Sequence, residues 1–271
     1  MSNRSTSTNS WFFARHPIFT MDEFAAFNKQ TKRESKYALL AYNRRSGRVL
    51  NIRRGIYAVI PDGAEPQSYM VNPYLVTAKA TSDAVVAYHS ALSFHGYAYS
   101  DFNLFTYLTK QKEASKFTFQ NSEYVGVTQP KALMQQGRDL DAVDLVEHGG
   151  LDIRVTSLER TLVDCFDRLD ISGGIEEVWR SLELVPYLRI SQILQYVVLL
   201  NNAVTTAKVG FFLEMNKQRF HVEQKDLEFL CSRRPAHKSY MFRMERKGKL
   251  VRDWNLIVPN DVLERTWEEP H

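Results

Sequence analysis

The sequence predicts an α+β protein in which an N-terminal winged helix-turn-helix domain is followed by a larger mixed α/β C-terminal domain. Two short segments with helix-capping patterns precede a pair of β-rich segments near the N-terminus. The rest of the chain mixes alternating strand patterns with amphipathic helices, and the positive charge is concentrated in the first sixty residues. We expect a disordered tail over residues 1–10, the winged helix-turn-helix domain over 11–65 and the C-terminal domain over 66–271.

The composition is ordinary for a globular protein outside the membrane. Of the 271 residues, 44% are hydrophobic and 24% are charged, and the length is sufficient for two domains. The longest apolar run, at 193–200, is far shorter than the roughly 20 residues of a membrane helix, and the N-terminus lacks the apolar core of a signal peptide. Cys165 and Cys231 are isolated from other thiols. We therefore expect a cytoplasmic protein with two reduced cysteines and no membrane partner.

The positive charge belongs to one end of the chain. The formal net charge is only +4. Residues 1–60 contain eleven basic and three acidic side chains, a balance of +8, so the remaining 211 residues carry a balance of −4. A basic module joined to a mildly acidic remainder indicates a nucleic-acid contact at the basic end.

Two short helices near the N-terminus are predicted from their start signals. Thr20 with Glu23, and Thr31 with Glu34, match the capping box, in which each side chain satisfies a free backbone N–H of the other residue. The first pattern predicts a helix over 21–28. The second predicts another helix after a tight turn, "NKQ".

The second of these helices should have one apolar and one basic side. Tyr37, Leu40 and Ala41 share a face at helical spacing, and we expect this face to pack inward. The first turn, the opposite side and the end of the helix carry basic and polar residues. Two capped helices with a basic second helix are typical of the helix-turn-helix, whose second helix enters the DNA major groove.

A hairpin closed by glycine should follow. Gly47 is expected to end the second helix. The segments "RVLNI" and "IYAVI" have strand composition, and Arg53-Arg54-Gly55 fits a three-residue loop with glycine at a positive φ. Helix, turn, helix and hairpin in this order indicate a winged helix. Each piece also has a purely structural explanation, because an Arg-Arg turn can simply protect the edge of a small hairpin.

Nine residues of this module are candidate DNA contacts. The second helix would place side chains at base edges and nearby phosphates in the major groove, and the hairpin tip would enter or flank the adjacent minor groove. The remaining arginines would neutralise phosphates, so affinity should fall steeply with salt. The candidates are Lys32, Arg33, Ser35, Lys36, Arg44, Arg45, Arg48, Arg53 and Arg54.

The C-terminal region mixes strands and helices after a proline-rich linker at 61–73. Asn72 followed by Pro73 predicts a helix start, and "SALSFHG" at 90–96 predicts a helix closed by its glycine. The segments "LFTYLT", "KFTFQ" and "EYVGVTQ" alternate as strands do. The chain should end in a hairpin that turns at 247–249.

The clearest helix of this region follows the strand "DIRVT". Thr156 and Glu159 form a third capping-box pattern. Leu158 and the apolar residues four, seven, eight and eleven positions after it form one stripe, which we expect to be buried. Arg160 and Asp164 lie four positions apart on this helix. They could form a binding site or, as we favour, an ion pair or an anchor to nearby backbone.

No catalytic, metal or cofactor site is predicted. His89 and His95 are six positions apart and cannot share a helix face as a metal-binding pair does. The best catalytic candidate is Glu245-Arg246-Lys247 with Asp226 upstream, which is similar to the carboxylate and lysine set of metal-dependent nucleases. Such triplets occur often by chance, so we expect a protein that is not an enzyme and needs no cofactor.

Five motifs in order resemble the AbiEi family of abortive-infection antitoxins. "GRVLNIRRGIYAVIP" at 47–61 is similar to the end of that family's N-terminal winged-helix domain. "SALSFHG" and "SLERTLVD" are similar to its Ser-Ala-Leu, His-Gly and Arg-Thr-Leu-x-Asp motifs, and "SGGIEEVWRSL" and "WNLIVP" continue the match. The resemblance extends from about residue 16 to residue 259.

The resemblance implies a DNA-binding antitoxin of a phage-defence toxin–antitoxin system. In that family the winged helix represses the promoter of its own operon, and the C-terminal domain opposes a nucleotidyltransferase-like toxin, with or without a stable complex. Two alternatives stay open: an antitoxin that acts by protein interaction and has an architectural winged helix, and an RNA-binding module, because basic patches do not distinguish duplex types. A metal-dependent nuclease is the remote alternative.

Overall fold

The computed structural model of the chain describes residues 3–111, 116–242 and 247–268, with the backbone alone for residues 3–8 and 268. The predicted α+β class is confirmed, since these residues form helices and three sheets. The chain divides into two compact units, each discontinuous in sequence. The first unit comprises Met1–Val86, Asn103–Val127 and Leu145–Arg154, and the second comprises Ala87–Phe102, Thr128–Asp144 and Val155–His271.

The first unit begins with three helices and a small antiparallel sheet. In chain order these elements are α1 (Asn3–Arg15), β1 (Ile18–Thr20), α2 (Met21–Phe27), α3 (Arg33–Arg45), β2 (Val49–Arg53) and β3 (Ile56–Val59). The strand order is β1-β3-β2, and both pairings are antiparallel. The predicted order of helix, turn, helix and hairpin is therefore present, with β1 as an additional strand.

An aromatic cluster packs α1 against this small sheet. Phe12, Phe13, Phe19 and Phe24 are buried, and their ring centroids lie 5.3 to 6.1 Å apart. This differs from the expected disordered tail over residues 1–10, because α1 begins at Asn3, while residues 1 and 2 lie outside the described residues. A polar segment of this length is a marginal helix alone, and the aromatic residues at its end supply the tertiary contact that stabilises it.

The first predicted capping box is confirmed and the second is wrong. Thr20 Oγ1 accepts a hydrogen bond from the Glu23 N–H at 3.1 Å, and Glu23 Oε2 accepts one from the Thr20 N–H at 2.7 Å. The N-cap of α3 is Lys32, whose side chain makes no cap hydrogen bond. Thr31 belongs instead to the turn after α2, where its N–H donates to the carbonyl oxygen of Asn28.

α3 buries a face that differs from the predicted one. Leu40 is 3% exposed, as expected, but Tyr37 is 47% exposed. Asn43, and not Tyr37, lies in the buried face. The burial of its polar side chain is tolerated because Nδ2 of Asn43 donates a hydrogen bond to the carbonyl oxygen of Leu39 at 2.8 Å, within the helix.

Glycines form the turns on either side of β2. Gly47, with φ +73°, follows the end of α3, and Gly55, with φ +83°, lies between β2 and β3, as the sequence predicts. The hairpin loop is shorter than predicted. Arg53 is the last residue of β2 and pairs with Ile56, so Arg54 and Gly55 alone form the turn.

Most of a six-stranded sheet also belongs to the first unit. The strands of this sheet are β4 (Val85–Val86), β5 (Leu104–Thr109), β6 (Lys116–Phe119), β7 (Ser122–Thr128), β8 (Val143–His148) and β9 (Leu151–Thr156), and the helix α4 (Pro73–Ala78) precedes them in the chain. The strand order is β6-β7-β5-β4-β9-β8. The three strands predicted at β5, β6 and β7 are confirmed, and Asn72 caps α4 by accepting from the Tyr74 N–H.

The boundary of the first unit differs from the expected boundary between residues 65 and 66. The segment 61–70 is largely exposed, but the chain then returns to the unit that it left. Lys79 forms an ion pair with Glu23 of α2, and the carbonyl oxygen of Ala80 accepts a hydrogen bond from Arg53. Residues up to Val86 belong to the same compact unit.

The second unit is mainly helical. Its helices are α5 (His89–Phe94), α6 (Lys131–Gln136), α7 (Leu158–Asp167), α8 (Gly174–Leu184), α9 (Ile190–Leu200), α10 (Ala203–Met215), α11 (Gln224–Cys231) and α12 (Asn260–Glu264), and its short strands are β10 (Ser239–Tyr240), β11 (Lys249–Val251) and β12 (Leu256–Val258). Its core includes Trp179, Phe166 and Phe212, all fully buried. Within the described ranges, no helix is both long and apolar enough to cross a bilayer.

α7 has the predicted stripe but a different N-cap. The apolar residues that follow Leu158 in the stripe are buried. Ser157 is the N-cap, since its Oγ accepts from the Arg160 N–H. Thr156 is still the last residue of β9, and its hydroxyl bonds to that of Thr161 at 2.7 Å, so it is not the predicted cap.

The predicted C-terminal hairpin is replaced by a three-stranded arrangement. β12 lies between β10 and β11, pairing in parallel with β10 and antiparallel with β11. The reversal occurs after β11, at a 3₁₀ turn over Arg252–Trp254 and at Asn255 with φ +49°. The predicted turn at 247–249 borders residues 243–246, which lie outside the described residues.

Candidate nucleic-acid interface

α3 presents a basic surface to solvent. Glu34 is the single acidic residue of this helix. Cations near the helix start add to the partial positive charge of the helix N-terminus, the end that attracts phosphate. The exposed candidates on α3 and at its N-cap are Lys32, Arg33, Ser35, Arg44 and Arg45. Five of the nine predicted contacts therefore occupy one exposed helix.

Lys36 is engaged within the helix pair. Its Nζ donates to the carbonyl oxygen of Ala25 at 2.9 Å. Ala25 lies in the last turn of α2, where carbonyl groups have no donor within the helix. A lysine at this end of a helix also interacts favourably with the helix dipole. Lys36 therefore fixes α3 against α2, and we do not count it among the exposed cations.

A shallow groove lies between the end of α3 and β2. The guanidinium groups of Arg44 and Arg45 lie on its helix side, and the exposed side-chain amide of Asn51 lies on its strand side. Guanidinium and amide groups commonly contact nucleic-acid phosphates. The lining residues are Ala41, Arg44, Arg45, Val49, Leu50 and Asn51. The groove extends the basic surface of α3 towards the hairpin.

Arg48 lies at the base of the hairpin with weak partners. Its guanidinium is 3.9 Å from the Asp62 carboxylate and 5.9 Å from the Phe13 ring centroid. The two side chains of the ion pair are 42% and 97% exposed, so the pair contributes little net free energy. Arg48 can exchange Asp62 for a phosphate with little loss of stability.

The two arginines of the hairpin differ in their surroundings. Arg54 is exposed in the turn, which is where a minor-groove contact is expected. Arg53 is partly buried: it donates to the carbonyl oxygen of Ala80, and its guanidinium lies over the ring of Phe117. The sequence placed both arginines at the tip, and the structure places only Arg54 there.

Two tyrosines on α3 were not predicted as part of the surface. Tyr37 and Tyr42 are 47% and 67% exposed. The guanidinium of Arg33 lies 6.0 Å from the Tyr37 ring centroid, at the outer limit of a cation–π contact. The spacing of four residues between Arg33 and Tyr37 is the signal that could have indicated a shared helix face. Exposed aromatic rings among arginines are typical of binding surfaces.

The start of α2 is stabilised by a carboxylate with several donors. Burial alone would raise the pKa of Glu23, but hydrogen bonds from Lys79 and from the Thr20 backbone outweigh it and lower the pKa below its ordinary value. Glu23 thus stays ionised and joins the first turn of α2 to Lys79, directly after α4.

Arg160 and Asp164 form a buried network in the second unit. They are 0% and 1% exposed. Arg160 Nε donates to Asp164 Oδ2 at 3.1 Å, and its Nη1 donates to the carbonyl oxygens of Asp139 and Asp141. The Tyr196 hydroxyl donates to Asp164 Oδ1 at 2.7 Å. This is the anchor to nearby backbone that we favoured from the sequence, and it serves packing.

The two histidines weighed as metal ligands have structural partners, and most of the triplet weighed as a nuclease site lies outside the described residues. His89 Nε2 is 3.0 Å from Glu177 Oε1, and His95 Nε2 is 2.8 Å from the carbonyl oxygen of Thr156. Across residues 3–111, 116–242 and 247–268, no group of three His, Cys, Asp or Glu side chains is arranged to hold a metal. Glu245 and Arg246 of the nuclease triplet lie outside the described residues.

The chain is an α+β protein whose fold is similar to that of a solved protein. The crystal structure of the RV2827C protein from Mycobacterium tuberculosis aligns with 97% of this chain and 94% of its own, with a TM-score of 0.62 and 14% sequence identity. At this identity the likeness concerns the fold alone. No protein-family model matches the chain. No curated protein matches it either.

Proposed function

We propose that this chain is a sequence-specific double-stranded DNA-binding protein and, on the resemblance to the AbiEi family, that it represses the promoter of its own gene. The observation that supports it is the exposed basic side of α3, which follows a short helix and a tight turn and precedes a hairpin. In this proposal α2, α3 and the β2–β3 hairpin act as a winged helix-turn-helix.

α3 would enter the major groove with its N-terminal turn towards the bases. Lys32 and Ser35 would reach base edges or nearby phosphates, and Arg33 would neutralise a phosphate. Arg44 and Arg45, on the wall of the groove beside β2, would bind the sugar-phosphate backbone.

The hairpin would follow the same duplex. Arg48 at its base would bind a phosphate, and Arg54 at its turn would enter or flank the adjacent minor groove, where negative potential attracts arginine. Each phosphate neutralised on duplex DNA contributes a slope of about −0.9 to log K against log salt. The slope should be roughly −4 to −5, because five arginines bring positive charge to the duplex, four of them at phosphates and Arg54 at the minor groove.

A gel-shift titration on the DNA upstream of the chain's own gene tests this proposal. We expect retardation at low salt, a steep loss of affinity as salt rises, and weaker competition by tRNA than by the same duplex. Absence of retardation even at low ionic strength would exclude the proposal. Competition by tRNA that exceeds that by the duplex would favour the RNA-binding alternative.

Two double variants test whether DNA binding is localised at α3. Arg44→Ala with Arg45→Ala should weaken DNA binding and reduce the salt slope by about 2, since two phosphate contacts are lost. Lys225→Ala with Lys238→Ala, which removes two exposed cations of the second unit, is the matched control and should leave both quantities unchanged. Equal effects of the two double variants would mean that binding is not localised at α3.

We further propose, on the resemblance to the AbiEi family, that the chain is an antitoxin that counteracts a cognate nucleotidyltransferase-like toxin in phage defence. Co-expression with the product of the neighbouring gene tests this part. The full-length Arg44→Ala, Arg45→Ala variant separates the two roles: rescue of growth without promoter binding would place neutralisation outside the DNA-binding surface. Failure of the wild-type chain to rescue growth would contradict the antitoxin role and leave DNA binding standing.

A further inference from the structure

The partly buried guanidinium group of Arg53 contacts two other segments of the first unit. Its Nη2 donates to the carbonyl oxygen of Ala80, two residues after the end of α4. Its Cζ lies 4.6 Å from the centroid of the Phe117 ring, on β6. Ala80 is 2% exposed, and Phe117 packs against the small cluster to which Ala80 belongs. Two separate segments of the first unit therefore hold one side chain of the hairpin.

Phe117 has a defined position because it belongs to an aromatic stack across the six-stranded sheet. Phe117 and Tyr124 are directly paired on β6 and β7, with ring centroids 4.8 Å apart and planes 10° apart. Tyr124 stacks in turn on Phe105 of β5 at 5.6 Å. Rings stacked in this way restrict each other's rotamers. The Arg53 guanidinium therefore rests on a surface that the sheet determines.

The contact requires an arginine and not merely a positive charge. A planar guanidinium can lie over an aromatic face while an N–H at its edge donates to a carbonyl oxygen. A lysine ammonium is a compact point charge that cannot make both contacts in this geometry. Neighbouring Arg54, in contrast, is exposed in the turn.

A second contact joins α2 to the same end of α4. Lys79 pairs with Glu23 in the first turn of α2, and Lys79 immediately precedes Ala80, the acceptor for Arg53. The helix pair and the hairpin are thus both attached at Lys79-Ala80.

We propose that Arg53 is a positioning residue. It fixes the β2–β3 hairpin against β6 and the end of α4, and Arg54 is the hairpin arginine that contacts DNA. The orientation of the hairpin relative to α3 is therefore set by residues well beyond residue 65. The DNA-binding part of this inference rests on the proposed function, whereas the anchoring of the hairpin does not.

Amide hydrogen exchange on the full-length protein without DNA tests the anchoring. Arg53→Lys and Phe117→Leu should each accelerate exchange in the hairpin by about tenfold, the factor that corresponds to loss of a partly desolvated cation–π contact. The matched variant Arg54→Lys should leave the exchange rates at those of the wild type. Unchanged exchange in both Arg53→Lys and Phe117→Leu would overturn the proposal.

Salt-dependent DNA binding with hydroxyl-radical footprinting tests the role of each arginine. Arg54→Met should reduce the salt slope by about 1, because a cation at the minor groove is lost and one fewer counterion is released on binding. Arg53→Lys and Phe117→Leu should lower the affinity by about tenfold and should remove the protection from the hairpin while the protection from α3 remains. Their salt slope should fall by about 1, as in Arg54→Met, because the displaced hairpin no longer holds Arg54 against the duplex. Loss of stability alone would not produce this selective change in the footprint.

The remaining outcomes are also decisive. If Arg53→Met reduces the slope by about 1 and both Arg53→Lys and Phe117→Leu bind as the wild type does, Arg53 contacts a phosphate directly and the proposal is wrong. If the wild-type chain binds no DNA, the proposed function fails, and the exchange rates still decide whether Arg53 anchors the hairpin.

Discussion

Lys36 Nζ donates to the carbonyl oxygen of Ala25 at 2.9 Å, so a lysine of α3 completes the C-terminal end of α2. The carbonyl groups of this last turn have no donor within the helix. A positive charge at this position also interacts favourably with the partial negative charge of the helix C-terminus. A residue that the sequence suggests for DNA contact is thus used to set the packing of the helix pair.

We predict that Lys36→Met destabilises the protein. The variant keeps most of the apolar stem and loses the hydrogen bond, which should lower the free energy of unfolding by about 1 kcal/mol in urea titrations. Lys32→Met, four positions earlier and exposed, is the control and should leave the urea midpoint unchanged. A midpoint for Lys36→Met equal to that of Lys32→Met would show that the contact with Ala25 contributes nothing to stability.

Arg160→Met should cause a large loss of stability. The substitution leaves Asp164 buried without its cation and leaves the carbonyl oxygens of Asp139 and Asp141 without their donor. Removing one partner of a buried pair lowers the free energy of unfolding by about 3–5 kcal/mol, measurable as a shift of the urea midpoint.

Arg138→Met is the matched control for that experiment. Arg138 forms an ion pair with Asp141, but its side chain is 51% exposed, so its loss should lower the free energy of unfolding by less than about 1 kcal/mol. Similar losses for Arg138→Met and Arg160→Met would contradict the idea that burial makes the Arg160 network important.

The protein should lose stability in acid, in part through Glu177. Burial alone would raise the pKa of this carboxyl, but hydrogen bonds from Ser100, His89 and Ser181 outweigh burial and lower the pKa below its ordinary value. The unfolded chain therefore binds this proton more readily than the folded one. The stabilisation is complete above the unfolded pKa of about 4.5 and is lost as pH falls through the lower folded value.

Urea titrations between about pH 3 and pH 7 measure this dependence. Glu177→Gln should flatten the acid side of the stability curve relative to the wild type. Glu176→Gln removes a carboxylate from the exposed side of the same helix and controls for the loss of one negative charge. Parallel acid limbs for Glu177→Gln and the wild type would show that Glu177 is not among the groups responsible.

Tyr42→Ala should weaken DNA binding without changing stability. Tyr42 is 67% exposed on the basic helix, so the free energy of unfolding should change by less than about 0.5 kcal/mol. Loss of an aromatic contact at the proposed interface should lower affinity by about tenfold. Tyr187→Ala, which removes a tyrosine 64% exposed in the second unit, should bind as the wild type does. Unchanged affinity for both variants would exclude Tyr42 from the interface.

Much of the local structure follows from residues close in sequence. The Thr20 and Glu23 capping box, the glycine at Gly47 and the Asn72 cap of α4 each depend on contacts within a few positions. Their geometry is set by backbone preferences and short-range hydrogen bonds, which a pattern of neighbouring residues encodes.

Two of the predicted helix caps are displaced by the element that precedes the helix. The Thr31 capping box is absent because Thr31 is used in the turn after α2. Ser157 replaces Thr156 as the cap of α7 because β9 continues through Thr156. The contact that displaces the first cap, between Thr31 and Asn28, is as local as the predicted one. The second cap is displaced because β9 lies between β4 and β8 in the sheet, and a short window of sequence around Thr156 does not contain both of those strands.

The sequence by itself determined the separation of charge, the order of α2, α3 and the hairpin, and which cations belong to that part of the chain. Only the tertiary structure decided which of those cations face solvent. Lys36 donates a hydrogen bond to a residue eleven positions away. Arg53 donates one to a residue twenty-seven positions away, and its guanidinium lies over a ring sixty-four positions away. A cation's exposure depends on such distant partners, because it is the folded chain that brings carbonyl oxygens and aromatic rings to the side chain.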